Sequence, residues 1–211
     1  NHDQVGNRAF GERIGALASA EAHRAIAAVY LLLPQVPMLF MGEEWNASQP
    51  FPFFCDFSGD LSKAVREGRR AEFAKFPEFQ DPEKRETIPD PVAEQTFLSA
   101  KLDWDALAHG PHAEWHDWYR RILKVRAKEI VPRVESITGA GTHAVLATGA
   151  VTVRWQCGDD ALVLEANLSG ETVSAGAGEA LETIWSEGRA EAGTLGPWSV
   201  RWSIARTPTA A

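Results

Sequence analysis

Apolar residues recur at helical spacing early in the chain. Ala22, Ile26, Val29, Tyr30 and Leu33 fall on one face of a helix. Ser19 is placed to cap its N-terminus, Glu21 suits the positive end of the helix dipole, and Pro34 ends it because its ring cannot join the hydrogen-bond ladder. The continuously apolar run Val36 to Met41, closed by Gly42, reads as a strand buried on both faces. A helix followed at once by such a strand is half of a βα repeat, so the pattern predicts a parallel sheet. Before it, residues 1–18 are polar and punctuated by Gly6, Gly11 and Gly15, the pattern of a loop.

The middle of the chain is less regular. Residues 43–60 are rich in aromatics and proline, with Asp60 as the expected cap of a helix to about Phe76. Residues 77–96 carry Pro77, Pro82, Pro89 and Pro91 among many charges and read as an irregular surface segment. A second helix is expected from about His112 to Lys128, with Trp115, Trp118, Tyr119, Ile122 and Val125 as its apolar stripe. Beyond Pro132 the period changes. Val151, Val153 and Trp155 alternate with polar residues, as do Trp198, Val200, Trp202 and Ile204. Leu162 to Leu168 and Leu181 to Trp185 are further strand candidates, and Asn167 to Glu171 a turn. Short alternating strands with glycine-rich turns predict an antiparallel β-sandwich or half-barrel. The change sets an expected domain boundary near residue 131.

Composition narrows the function classes. The 211 residues carry a net charge of −8, which repels phosphate backbones and argues against a nucleic-acid partner. The longest apolar run, Ala25 to Leu33, is too short to span a bilayer, and no secretory signal is seen, so no membrane partner is expected. Two cysteines, Cys55 and Cys157, make no disulfide framework and suggest reduced packing residues in a cytoplasmic protein. The six histidines form no metal-ligand pattern. There is no P-loop, no nucleophile elbow and no dinucleotide fingerprint, so neither metal nor cofactor is expected. The chain opens at Asn1, inside what reads as a site motif, which suggests a portion of a longer protein.

Two clusters carry candidate chemistry. Asn1, His2, Asp3 and Gln4 stand in a row with Gly6 nearby; such groups can converge on sugar hydroxyls, and a fixed carboxylate can steady an oxocarbenium-like transition state. The alternative is a solvated terminus. Gly42-Glu43-Glu44-Trp45 follows the apolar run, where parallel α/β folds place functional groups. Two carboxylates beside an indole suit a sugar, although neighbouring side chains diverge and at most one glutamate faces a given site. The alternative is an acidic loop with one core tryptophan. Trp155, Trp198 and Trp202 lie on apolar alternations, and Trp115 and Trp118 on a helix stripe, so packing explains them better than sugar stacking.

These motifs resemble a known family. Asn1 to Arg13 (NHDQVGNRAFGER) is similar to the last conserved region of the α-amylase clan, in the form found in malto-oligosyltrehalose trehalohydrolases. Leu31 to Trp45 (LLLPQVPMLFMGEEW) resembles the helix, eighth barrel strand and following loop of those enzymes. Residues 53–57, 65–73, 99–104 and 196–200 resemble later segments. The resemblance implies α/β plus all-β architecture: residues 1–131 as the last part of a (β/α)8 TIM barrel, and 132–211 as a C-terminal antiparallel β-sandwich. It implies retaining hydrolysis of the α-1,4 bond joining trehalose to a malto-oligosaccharide, with malto-oligosyltrehalose or a related α-glucan as partner. Asp3 matches the transition-state stabiliser and His2 the hydroxyl-binding histidine. Asn1 and Gln4 would border the site, and Glu44 and Trp45 would lie near the trehalose end. The nucleophile and acid/base are expected upstream of Asn1, which leaves the 211 residues inactive by themselves. Glycogen branching enzymes share the plan, and a non-catalytic carbohydrate-binding module at 132–211 would require exposed, coplanar aromatics.

Overall fold

A computed structural model describes residues 2–176, 181–191 and 193–206. In chain order the helices are α1 (His2–Gly6), α2 (Ile14–Leu17), α3 (Ala20–Leu32), α4 (Gly59–Phe73), α5 (Pro82–Glu86), α6 (Glu94–Ser99), α7 (Gly110–Val125) and α8 (Val131–Val134). The main strands are β1 (Thr142–Ala147), β2 (Ala150–Cys157), β3 (Asp160–Asn167), β4 (Val173–Ser174), β5 (Glu182–Glu187), β6 (Ala190–Glu191), β7 (Thr194–Leu195) and β8 (Ser199–Ala205). They form two compact units: Asn1–Leu17 with Met38–His116, and Ala18–Pro37 with Asp117–Ala211.

The second unit is a mixed helix and antiparallel-sheet structure. A five-stranded sheet runs in the order β1-β2-β3-β8-β5, beside a three-stranded ribbon in the order β4-β7-β6. Cross-strand pairs Trp155↔Leu162, Leu164↔Trp202 and Leu162↔Ile204 gather the apolar alternation on one face. Trp155 and Trp202 stack with ring centroids 5.8 Å apart, and the Trp202 indole N–H donates to the α3 carbonyl of Ala28 at 3.0 Å. Ser19 caps α3, its hydroxyl accepting from the Ala22 N–H at 3.2 Å. Arg126 donates to the carbonyls of Leu31 and Leu33 at the other end, each at 2.8 Å. The turn expected at 167–171 forms around Asn167, a fully buried side chain. Its amide donates to the carbonyls of Glu171, Leu195 and Gly196, and its oxygen accepts from Ser169.

Several expectations are corrected. Residues 36–40 adopt no strand; Val36 is 92% exposed and Met38 70%. A central strand needs partners on both edges, and no described strand pairs with this run, so Val36, Met38 and Leu39 stay exposed while Phe40 packs on Phe51. Helix α3, expected as half of a βα repeat, packs instead on the antiparallel sheet through β8. The expected loop at 1–18 contains α1 and α2. The next helix begins at Gly59 after Ser58 rather than being capped by Asp60. The proline-rich stretch 77–96 folds into short turns and helices, α5 capped by Asp81 accepting from the Glu83 N–H at 2.9 Å. Trp198 does not sit on a strand face; it is a half-buried turn residue with φ 49°, while Trp155 and Trp202 are buried as expected. Helix α7 continues into a π-helical turn at Arg126–Ile130. Cys55 and Cys157 are free thiols. No described helix is long and apolar enough to cross a membrane.

His23 on α3 is 5% exposed, and burial pushes its imidazole pKa down to about 4. In the unfolded chain it titrates near 6.5. Between those values the unfolded state binds a proton that the folded state refuses, so stability is lost as pH falls from about 6.5 towards 4, by up to ~1.4 kcal/mol per pH unit. Urea unfolding measured across this window should give a flatter pH dependence for His23→Gln than for the parent protein.

Candidate active site

The Glu43–Trp45 turn is fixed by its neighbours. Gly42 has φ 87°, and a Cβ there would stand 2.8 Å from the Cβ of Ala47, so only glycine fits. At the other end Asn46 takes φ 53°, and its amide sits so close to Gly15 that a side chain at that position would collide with it. Two side chains from α7 hold the turn's carbonyls. The Trp115 indole N–H donates to Glu43 at 2.9 Å, and Nδ1 of His112 lies 2.9 Å from the Trp45 oxygen, which places the ring proton on Nδ1. Arg13 braces the flanks, donating to the Gln49 carbonyl at 2.6 Å and the Met41 carbonyl at 2.8 Å, and lies over the Phe40 ring at 5.3 Å. Its side chain is 6% exposed; burial pulls the guanidinium pKa down, opposed by the carboxylates of Glu43 and Glu44.

The two glutamates diverge in role, as adjacent side chains must. Glu43 turns back and accepts from the Phe40 N–H at 3.0 Å. Glu44 is half-buried within Coulombic reach of Arg13. Trp45 is 1% exposed and packs on Trp104 with centroids 4.9 Å apart; Trp104, 66% exposed, is the solvent-facing member of the pair.

Helix α1 supplies the other cluster. Asn1 lies outside the described residues. His2, Asp3 and Gln4 are solvent-facing, with His2 Nε2 3.2 Å from Asp3 Oδ1. The His2 ring lies 6.5 Å from the Phe40 ring, and Phe40 is the residue whose N–H the Glu43 carboxylate holds. The His2–Asp3 pair and the Glu43 turn therefore meet at one aromatic residue. Arg69 closes the end of α1: it is 8% exposed and donates to the carbonyls of Gly6 at 2.8 Å and Arg8 at 2.9 Å. Burial lowers its pKa, with Glu72 opposing. Its guanidinium lies over Phe73 at 4.6 Å.

Comparison with known proteins bears on this geometry. Residues 138–202 match a family model described as a domain of unknown function, DUF3459. A malto-oligosyltrehalose trehalohydrolase of Deinococcus radiodurans is 40% identical over 177 residues, 76% of this chain and 28% of its own length. The trehalohydrolase of Saccharolobus solfataricus is 40% identical over 127 residues, 60% of this chain and 20% of its own. The chain resembles the C-terminal portion of malto-oligosyltrehalose trehalohydrolases. Among solved structures, a Salmonella typhimurium protein described as an alpha amylase superposes with a TM-score of 0.88 at 38% identity, over 98% of this chain and 34% of that one. A trehalulose synthase of Pseudomonas mesoacidophila shares the fold at 15% identity and a TM-score of 0.51, over 88% of this chain and 38% of its own. The chain spans about a third or less of the length of the trehalohydrolases and of the Salmonella structure it matches.

Sequence reasoning passed over the groups that position the motifs of this trehalohydrolase-like chain. Arg13, Arg69 and His112 act through main-chain carbonyls, and no periodicity signals that. The one available sign was glycine at 11, 15 and 42, where close backbone approach or positive φ excludes a side chain. Replacing Arg13 with methionine removes two charge-assisted hydrogen bonds and should cost about 3 kcal/mol. Thermal unfolding checks the loss, and amide exchange should quicken first at residues 41–49.

Proposed function

We propose that this chain is the C-terminal portion of a retaining glycoside hydrolase that cleaves the α-1,4 bond next to the trehalose end of malto-oligosyltrehalose. Residues 1–131 are then the last part of a (β/α)8 barrel and 132–211 a C-terminal β-sandwich. The observation that carries the reading is the placement of Asp3. Its carboxylate faces solvent beside His2, on a helix whose end is locked by Arg69 and whose flank meets the Glu43 turn at Phe40. The ~40% identity to trehalohydrolases supports the same reading. So does the exposed apolar run at 36–41, the surface that barrel neighbours would cover.

In this reading the bond breaks through an oxocarbenium-like transition state, whose charge Asp3 stabilises. His2 and Gln4, with Asn1, hold sugar hydroxyls, and Glu44 borders the trehalose side with the exposed Trp104, which buried Trp45 backs from beneath. The nucleophile and acid/base, about 5–5.5 Å apart in retaining enzymes, come from outside these residues. The free thiols suit a cytoplasmic enzyme. Trp155 and Trp202 offer no sugar platform, since both are buried, so residues 132–211 are read as a structural domain rather than a carbohydrate-binding module.

Asp3→Asn in the full-length enzyme should lower kcat on maltotriosyltrehalose by at least ~100-fold with the melting temperature nearly unchanged. The 211 residues alone should release no trehalose. Branched products from an α-1,4-glucan, without free trehalose, would assign a branching activity instead.

A further inference from the structure

A cleft opens beside α1 that the chemistry above does not use. It encloses about 540 Å³, within the roughly 300–1,000 Å³ of small-molecule sites. Its floor is aromatic. Phe73 is buried against Ala9 and Ile88, and Phe79 and Phe76 lie 5.6 and 5.8 Å from it, with Phe10 5.9 Å from Phe79. Phe76 is 40% exposed and Phe10 and Phe79 are half-buried, so the floor is open to solvent. The rim is polar and balanced: Arg8 and Lys84 against Glu12 and Glu78, with Arg8 and Glu12 paired at 3.2 Å. A lining without net charge, in a chain of net −8, does not select an ion. Rings below and paired polar groups around suit a neutral polyhydroxylated ligand, with C–H faces on the rings and hydroxyls at the rim.

The cleft's position ties it to the candidate site. Asn7, on its wall, donates its N–H to the Asp3 carbonyl at 3.1 Å, one helical turn away, or roughly 6 Å along the axis. Arg69 fixes that spacing by holding the carbonyls of Gly6 and Arg8. We propose that this cleft is a further glucan subsite, seating glucose units of the malto-oligosaccharide away from the cleaved bond. The proposal rests on Asp3 belonging to the active site and adds a chain-length preference to it.

Phe76→Ala in the full-length enzyme tests it, with trehalose release measured on maltosyltrehalose and maltoheptaosyltrehalose and maltoheptaose binding measured by calorimetry. Truncating a well-packed contact should raise KM for the long substrate and Kd for maltoheptaose about tenfold. The short substrate's KM and kcat should stay the same, and Phe76→Tyr should restore both long-chain values. Unchanged KM and Kd would overturn the subsite, as would an equal rise on both substrates that Phe76→Tyr fails to correct. Phe76-dependent binding of maltoheptaose by a parent enzyme that releases no trehalose would uphold the subsite and overturn the trehalohydrolase reading.

Discussion

Irregular backbone that turns inward must find partners for its carbonyls, and in this chain arginine side chains, two buried and one half-buried, supply them. Arg13 holds the carbonyls on either side of the Glu43 turn, Arg69 those that end α1, and Arg126 those that end α3. Each guanidinium presents several donors in a rigid plane, so one side chain can satisfy two or three carbonyls that no sheet reaches. In all three, burial pulls the pKa below its ordinary value. They stay charged, because an arginine begins so far above neutrality. The desolvation cost is accepted where a segment must keep its shape: Arg13 and Arg69 hold the Glu43 turn and the end of α1, which carry Glu44 and Asp3, and Arg126 holds the end of α3.

The antiparallel unit works by different means. Its backbone pairs in a ladder, and its specificity comes from side-chain register. Trp155, Leu162, Leu164 and Trp202 meet on one face, while Glu165 and Arg201 form a close pair, 2.6 Å apart, on the other. The tryptophans that a sugar-binding surface would display are spent on packing. The exposed aromatics among the described residues, Phe53, Phe57, Phe76, Phe97 and Trp104, belong to the first unit, which also carries the candidate carboxylates.

What the sequence disclosed follows from this division. Alternation is a direct image of a half-buried strand, so β2, β3, β5 and β8 were legible, and so was α3, whose cap Ser19 and stop Pro34 are local signals. The run 36–41 was misread because apolar content reports a wish for burial, not the presence of a partner to provide it. Trp198 followed the alternation on paper, yet its left-handed φ puts it in the turn before β8. The motifs His2-Asp3 and Glu43-Glu44-Trp45 were visible as chemistry. The meeting of His2 and Glu43 at Phe40 was not, since it depends on contacts thirty-eight residues apart in the chain.

The central claim is that the Asp3 carboxylate faces the sugar whose bond breaks. A crystal structure of the full-length enzyme, inactivated and soaked with maltotriosyltrehalose, measures this directly. The account predicts an Asp3 oxygen within about 3.5 Å of the sugar ring at the scissile bond. A substrate bound elsewhere, with Asp3 left in bulk solvent, would contradict it.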